Sequence, residues 1–472
     1  MLARPCQRMR WTNEHFPPLR WMAALAPLLV AFFYAPLAFG GSTPDTVAVL
    51  DWLLFHGFLL WLCVLVIERR FPLLPWALAV PLLVLVVLGL LQIWNPKSVV
   101  DSVFGEIRPL PGAVSFLPGT VDASATRPVL LNLGALALGG LVLRDAFAQA
   151  RARWLLFGTI SLAGFIIAII GIYQKASGAE AMLWSELRPG EDTTFFAAYR
   201  YHGNAAAFLN LSWPAALAVW LRRRLKEPGS IAVSLDFSVL FLIFAAVFVN
   251  SSKAGQVLGL LGFLLALWRF RGEFANAGTN RIGMVVLTLF LLGFGAVFML
   301  PGLLNILANW NSFGEDGSTL TGRLLAYGAC FGAIQEYGLL GAGAGTFRFV
   351  FPYHTLHLED RIPGFWYYAH SDWLQTVIEW GWAGFAAWAF LIGGAFVRLW
   401  RHCREAAARE RVEISCSAGL LAIFMVIVHA MLDFPLQIAS LQWLFVAYLA
   451  LGWSDYYGHQ NGERREAEGA QG

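Results

Sequence analysis

Residues 73–94 read LLPWALAVPLLVLVVLGLLQIW, twenty-two consecutive positions without a charged side chain. A helix crosses the hydrocarbon of a bilayer with about 20 apolar residues, so this stretch spans a membrane once. Outward from it the pattern recurs. Spans are read near 21–40, 48–67, 73–94, 128–143, 154–173, 204–221, 231–249, 254–269, 282–300, 372–397, 414–432 and 436–453, about twelve in all. The whole chain of 472 residues is 58% hydrophobic and 13% charged, with a mean hydropathy of +0.61. A soluble domain carries about 25% charge, so a water-soluble enzyme is excluded. Disordered chains are poor in aromatics; here aromatics make up 15%, and disorder is excluded too. The expected fold class is an all-α polytopic integral membrane protein with about 12 transmembrane helices. A large loop at 301–371 is expected to carry short surface helices.

Cytoplasmic loops of membrane proteins collect Lys and Arg, and twenty-three of the thirty-three basic residues fall in the two tails and alternate loops. Arg20 lies in the first tail. Arg69 and Arg70; Arg144, Arg151 and Arg153; Arg222 to Arg224 with Lys226; Arg269, Arg271 and Arg281; and Arg398, Arg401, Arg404, Arg409 and Arg411 mark successive loops on the same side, before Arg464 and Arg465 in the last tail. The alternation places both termini in the cytoplasm, requires an even number of spans, and leaves ten basic residues on the far side. The apolar segment after the basic first 20 residues is longer than the core of a cleavable signal peptide; it reads as an uncleaved first span. The five cysteines show no metal-ligand or redox spacing. No GxxxxGK[ST] occurs, which disfavours ATP-driven transport by this chain alone.

Three far-side loops, 95–127, 174–203 and 301–371, are longer than a connection needs, and such loops are functional or disordered. The third holds Trp310, Phe347, Phe349, Phe351 and Phe365 to Tyr368, a composition that argues for order. Its stretch Arg323 to Leu339 has helical apolar spacing, ended by Gly338 and the run Gly341-Ala-Gly-Ala-Gly345. His370 stands just before the next span, with Ser371 or Asp372 placed to cap that helix. It reads either as one more interfacial side chain or as a base or donor at a water–lipid boundary.

Lys253 follows Asn250-Ser-Ser in a very short turn between two apolar spans; a charge there is costly and marks a functional candidate, unless it snorkels to the headgroups. Arg200, within Tyr199-Arg-Tyr-His202-Gly-Asn204, precedes a span and carries the same two readings. His429 and Asp433 are four apart, on one helix face, where they could form a hydrogen-bonded pair, and a structural or supporting role is expected of them. Glu379 is nine residues beyond His370, half a turn out of phase, so simple stacking along the helix does not let it orient His370.

Cations and a His on one face suit an anionic ligand with its tail in the bilayer, a lipid-linked phosphate or diphosphate, because Arg holds phosphate in a fork and Lys acts as a point charge. Glu315-Asp316 and Glu359-Asp360 read as solvated loop acids, so no metal and no cofactor is expected. The cations would then stabilise a diphosphate leaving group.

In order and spacing, several pieces resemble the O-antigen ligase and O-antigen polymerase family of bacterial membrane glycosyltransferases. They are Tyr201-His-Gly-Asn204, Asn250-Ser-Ser-Lys-Ala-Gly255, Thr321-Gly-Arg323, Gly341 to Phe347, His370-Ser-Asp-Trp-Leu-Gln375 with Glu379, Gly381 and Gly384, and His429 to Gln437. The resemblance covers roughly 195–440. It implies transfer of a glycan from undecaprenyl diphosphate to an acceptor sugar hydroxyl, with inversion and without a metal, at the periplasmic face of the bacterial inner membrane. Carried over by motif, Arg323 and Lys253 hold the diphosphate, with Arg200 a further ligand. His370 serves the acceptor, and His202, Asn204, Glu379, His429 and Asp433 support the site. The family commonly has Arg where this chain has Lys253, so bidentate phosphate binding does not carry over there.

On this reading the chain divides into a cytoplasmic tail at 1–20, membrane helices at 21–194, a ligase/polymerase-like membrane domain at 195–453 with the periplasmic loop 301–371, and a disordered cytoplasmic tail at 454–472. The expected partners are the lipid-linked donor, a glycan or lipid A core acceptor, the bilayer and polysaccharide assembly proteins, with no nucleic acid. Ligase, polymerase and protein O-glycosyltransferase remain open within the family. Outside it, the alternative is a transporter or flippase of lipid-linked oligosaccharides. Transporters show internal repeats and polar groups near the midplane, whereas here the distinctive polar groups gather at one interface.

Overall fold

The computed structural model describes residues 18–101, 106–185, 194–275, 317–362, 365–408 and 413–454. The readings placed on 1–17, Arg188, the span 282–300, Trp310, Glu315-Asp316 and the tail beyond Ser454 lie outside the described residues, as do the side chains of Glu359 and Asp360. The chain is a bundle of helices: α1 (Leu19–Leu37), α2 (Pro44–Glu68), α3 (Trp76–Trp94), α4 (Ala123–Phe147), α5 (Ala150–Ser177), α6 (His202–Lys226), α7 (Ile231–Val249), α8 (Lys253–Arg269) and α9 (Arg271–Ala275). These are followed by α10 (Gly317–Tyr337), α11 (Phe347–Thr355), α12 (Asp372–Ala407), α13 (Ile414–Leu432) and α14 (Ala439–Trp453). One two-stranded hairpin, β1 (Ser98–Val100) with β2 (Ile107–Pro109), lies in the 95–127 loop.

Nine helices among the described residues are long and apolar enough to cross a membrane. The 17-residue α8 and 15-residue α14 occupy the places read as two further spans. The fold is therefore all-α and polytopic.

Helix α6 explains why its stretch reads weakly in the sequence. Its mean hydropathy is only 1.2, yet 94% of its apolar window is buried inside the protein. A helix surrounded by protein need not be greasy enough for lipid; it needs small residues that let its neighbours close in. Gly164 of α5 is such a contact, because a Cβ there would stand 2.5 Å from the Ser212 Cβ. The Tyr448 hydroxyl of α14 donates to the Leu211 carbonyl of α6 at 2.6 Å.

The bundle has two chemically different ends. At one, Arg70 bridges Asp145 at 2.7 Å and Glu68 at 3.2 Å, and Arg20 also reaches Glu68. Arg144 and Arg398 donate to the carbonyls of Trp453 and Gly452 at the end of α14. Here the basic loops assemble, tied together by ion pairs.

The opposite end is built on a broken helix. Gly381 interrupts α12 with φ 67° and ψ 177°, a conformation open to glycine alone. The break frees carbonyls that must find donors inside a membrane protein. The glycine run supplies them: Ala342 N–H donates to Ile378 O at 2.8 Å and Gly343 N–H to Glu379 O at 3.0 Å. Gly343 itself has φ 106°, and a Cβ on it would collide with Thr120. The run is thus pinned between the α12 break and the 95–127 loop, whose Val121 N–H donates to Ala342 O. A second apolar core, with Ala326, Cys330, Ala333, Phe347, Phe351 and Ile378, joins α10 and α11 to the half-helix 372–380.

Two local expectations are corrected. The helix read at Arg323–Leu339 begins earlier, at Gly317, and ends at Tyr337, just before Gly338. Neither Ser371 nor Asp372 caps α12 through its side chain. The Asp372 carboxylate instead accepts from Leu436 N–H at 2.8 Å and Gln437 Nε2 at 2.9 Å, stapling α12 to the turn before α14.

Candidate active site

Asp433 is the hub of the site. Helix α13 ends at Leu432, and Asp433 has an extended backbone, so its side chain leaves the helix face it was expected to share with His429. His429 Nε2 is 4.0 Å from Asp433 Oδ2, too far for a hydrogen bond. The His429–Asp433 hydrogen bond is therefore replaced by others. Asp433 Oδ1 pairs with His370 Nδ1 at 3.1 Å, and Oδ2 accepts from the Tyr201 hydroxyl at 2.9 Å. A Cβ on Gly203 would stand 2.7 Å from Oδ2, so that glycine lets the start of α6 close on the carboxylate.

Burial pushes the Asp433 carboxyl upward, but the His370 hydrogen bond and the charges of His429, His370 and Arg323 outweigh it and hold the group below the ordinary carboxylate range. Tyr201 moves the other way: burial, then the Asp433 charge, raises its hydroxyl well above its usual value. Asp433 is accordingly an anion and Tyr201 its neutral donor at neutral pH.

With Nδ1 engaged by the carboxylate, the neutral His370 ring carries its proton on Nδ1 and leaves Nε2 as the acceptor. The side chain is 26% exposed, against 5% for Asp433, so His370 links a buried anion to the solvent. Aromatic rings fix the imidazole. Trp366 and Phe434 meet it edge-on at 5.1 and 4.8 Å, and Tyr201 stacks on Phe434 at 5.3 Å. The backbone of His370 has φ 48°, in the left-handed region. The Tyr327 hydroxyl donates to its carbonyl at 2.8 Å.

Arg323 lies one turn before Tyr327 on α10, and both face this site. Its Nη1 donates to Leu432 O at 3.3 Å, setting a cation at the C-terminus of α13. Arg323 interacts electrostatically with Tyr201, Asp433 and His429. Lys253 begins α8, where Ser252 caps the helix by accepting from Gly255 N–H. Asn250, in the same turn, donates to His202 O at 3.1 Å. The Lys253 turn is thus tied to the Tyr201–His202 segment, and Arg323 acts electrostatically on Tyr201 of the same segment. Arg200 is exposed at the edge of that segment. Asn204 is buried on the first turn of α6, with Oδ1 lacking a hydrogen-bond partner among the described residues.

Glu379 faces away from this cluster. Its Oε1 accepts from Phe347 N–H at 3.2 Å and Gln375 Nε2 at 3.1 Å. Gln92, wholly buried on α3, bridges the same region by donating to Glu379 O and accepting from Ala344 N–H. Tyr201 and Gln375 stand in motif pieces but carry no assigned role in the sequence reading, and neither Tyr327 nor Gln92 is a site candidate there. The i, i+4 spacing of Arg323 with Tyr327 and of Gln375 with Glu379 is a usable signal; nothing marks Gln92.

A mainly apolar cavity of about 190 Å³ opens between α3, α4, α12 and α14. Asp372, Thr376 and Gln437 line it at the His370 end, Leu133, Gly140 and Phe445 along its length, and Arg144 and Trp453 at the other end. From Val129 to Arg144 along α4 it extends about 22 Å at the helical rise. Among the described residues no group of three or more His, Cys, Asp or Glu is placed to hold a metal ion.

A family model described as O-antigen ligase matches residues 238–389, from α7 through the glycine run and His370 into α12. The match supports the O-antigen ligase/polymerase family, and with it a multi-pass membrane protein of glycosyl-transfer type. No curated protein matches the chain.

Proposed function

We propose that this protein transfers a glycan from undecaprenyl diphosphate to a sugar hydroxyl at the periplasmic face of the inner membrane. The observation that carries the reading is the Asp433–His370 pair, which makes Nε2 of the neutral ring the acceptor at the membrane boundary, with the Arg323 cation acting on the same carboxylate. The basic far end of the bundle supports the orientation, both tails then lying in the cytoplasm.

The donor tail occupies the groove between α3, α4, α12 and α14, and its diphosphate lies against Arg323, with Lys253 and Arg200 as further ligands. His370 Nε2 takes the proton of the acceptor hydroxyl as that oxygen attacks the anomeric carbon. The bond from that carbon to the diphosphate oxygen breaks on the opposite face, which inverts the configuration. Asp433 stabilises the imidazolium that forms, and the fixed cations stabilise the charge on the departing diphosphate. Positioning and charge stabilisation supply the acceleration without a metal.

The test is transfer in isolated membranes with a lipid-linked donor. His370→Ala and Arg323→Ala, made at normal levels, are expected to lose product while retaining the protein in the membrane. Full transfer by both variants overturns the assignment.

A further inference from the structure

We propose that Gln375, held by Glu379, is a positioning residue that fixes the backbone of His370. The inference rests on His370 being the acceptor-side base, and adds how a strained peptide is kept in one conformation. Left-handed φ at a residue with a Cβ persists only where the surroundings over-determine it. Three independent elements do so here. The Asp433 carboxylate holds the ring, and the Tyr327 hydroxyl holds the carbonyl. The third hold is on the preceding peptide: Ala369 N–H donates to Gln375 Oε1 at 3.1 Å.

Gln375 can present that oxygen in only one way. Its Nε2 donates to Glu379 Oε1 at 3.1 Å, one turn further along the half-helix, so the amide is not free to flip. Glu379 in turn is fixed by Phe347 N–H at the start of α11. Gln375 and Glu379 are 2% and 4% exposed, so water does not replace a lost partner. A path of hydrogen bonds therefore runs from α11 through Glu379, Gln375 and the Ala369 peptide to His370. It explains why an acid out of phase with His370 belongs to the site.

The experiment uses the full-length protein, purified in detergent and assayed with lipid-linked donor. Gln375→Leu removes both bonds of the amide. It is expected to lower kcat about tenfold or more while donor KM stays within about twofold, because the donor cations are untouched. Gln375→Glu alone is expected to be slow. Gln375→Glu combined with Glu379→Gln reverses the donor and acceptor, leaves Ala369 N–H its acceptor, and is expected to return kcat to within about threefold of wild type. The rate of His370 carbethoxylation, read by mass spectrometry, is expected to change in Gln375→Leu and return in the double variant.

A folded Gln375→Leu protein with wild-type kcat overturns the proposal. So does failure of the double variant to outperform Gln375→Glu, which also decides the matter where Gln375→Leu does not fold. His370→Ala run in parallel separates the two ideas. If it is inactive while Gln375→Leu is fully active, only the positioning role fails; if it is fully active, the base assignment itself fails.

Discussion

Replacing Asp433 with Asn removes one charge at nearly constant shape, and the site geometry sets the expected effect. The carboxylate oxygen lies 3.1 Å from His370 Nδ1. Its charge sits about 4.5 Å from the centre of the imidazolium formed during transfer, and at an effective dielectric near 20 this amounts to about 3.7 kcal/mol. The Asn carbonyl still accepts from Nδ1–H, which recovers about 1 kcal/mol. The net loss of about 2–3 kcal/mol predicts a fall in kcat of about thirty- to two-hundredfold. The Tyr201 hydroxyl can reorient toward the amide, so the fold should persist. Single-turnover transfer from a lipid-linked donor, with the amount of folded protein normalised by size-exclusion chromatography, measures the effect. A rate within twofold of wild type, alongside an inactive His370→Ala protein, would refute the role given to Asp433.

Other consequences are more local. Because the folded Asp433 pKa lies below its unfolded value, its stabilising contribution is complete above about pH 4 and is lost as pH falls through the lower folded value. The melting temperature gap between wild type and Asp433→Asn, followed by tryptophan fluorescence, should hold steady from pH 8 to about 5 and shrink in more acidic solution. Gly343→Ala puts a Cβ into Thr120 at φ 106° and is expected to destabilise the protein by about 2 kcal/mol or more, seen as a lower melting temperature or loss of monodisperse protein. Gly140→Leu pushes a side chain into the groove against Val446, and should raise donor KM about tenfold while overpacking costs about 1–3 kcal/mol of stability, read as a lower melting temperature. Arg70→Ala breaks two partly buried ion pairs at the far end, and should cost about 2 kcal/mol of stability while leaving kcat intact.

The membrane fold was legible because lipid imposes a simple rule on length and composition, and residues 73–94 satisfy it without ambiguity. Helix α6 shows where that rule weakens, since burial inside the protein substitutes for hydropathy. The site residues with unusual chemistry for their surroundings, His370 and Arg323, could be seen in the sequence because charge is scarce. Their geometry could not. The Asp433 carboxylate reached His370 because α13 ends one residue earlier than a helical i, i+4 pairing with His429 requires. Gln92 is an uncharged side chain whose importance arises only from backbone groups brought to it by the Gly381 break, a tertiary event with no local signature, whereas Gln375 is marked only by its i, i+4 spacing with Glu379.

The decisive measurement of glycan transfer uses purified protein in proteoliposomes, supplied with a lipid-diphosphate-linked glycan of known anomeric configuration and a sugar acceptor. Wild type is expected to yield a glycosidic product of inverted configuration, and His370→Ala or Arg323→Ala none. Movement of the intact donor across the bilayer without any glycosidic product would contradict that expectation.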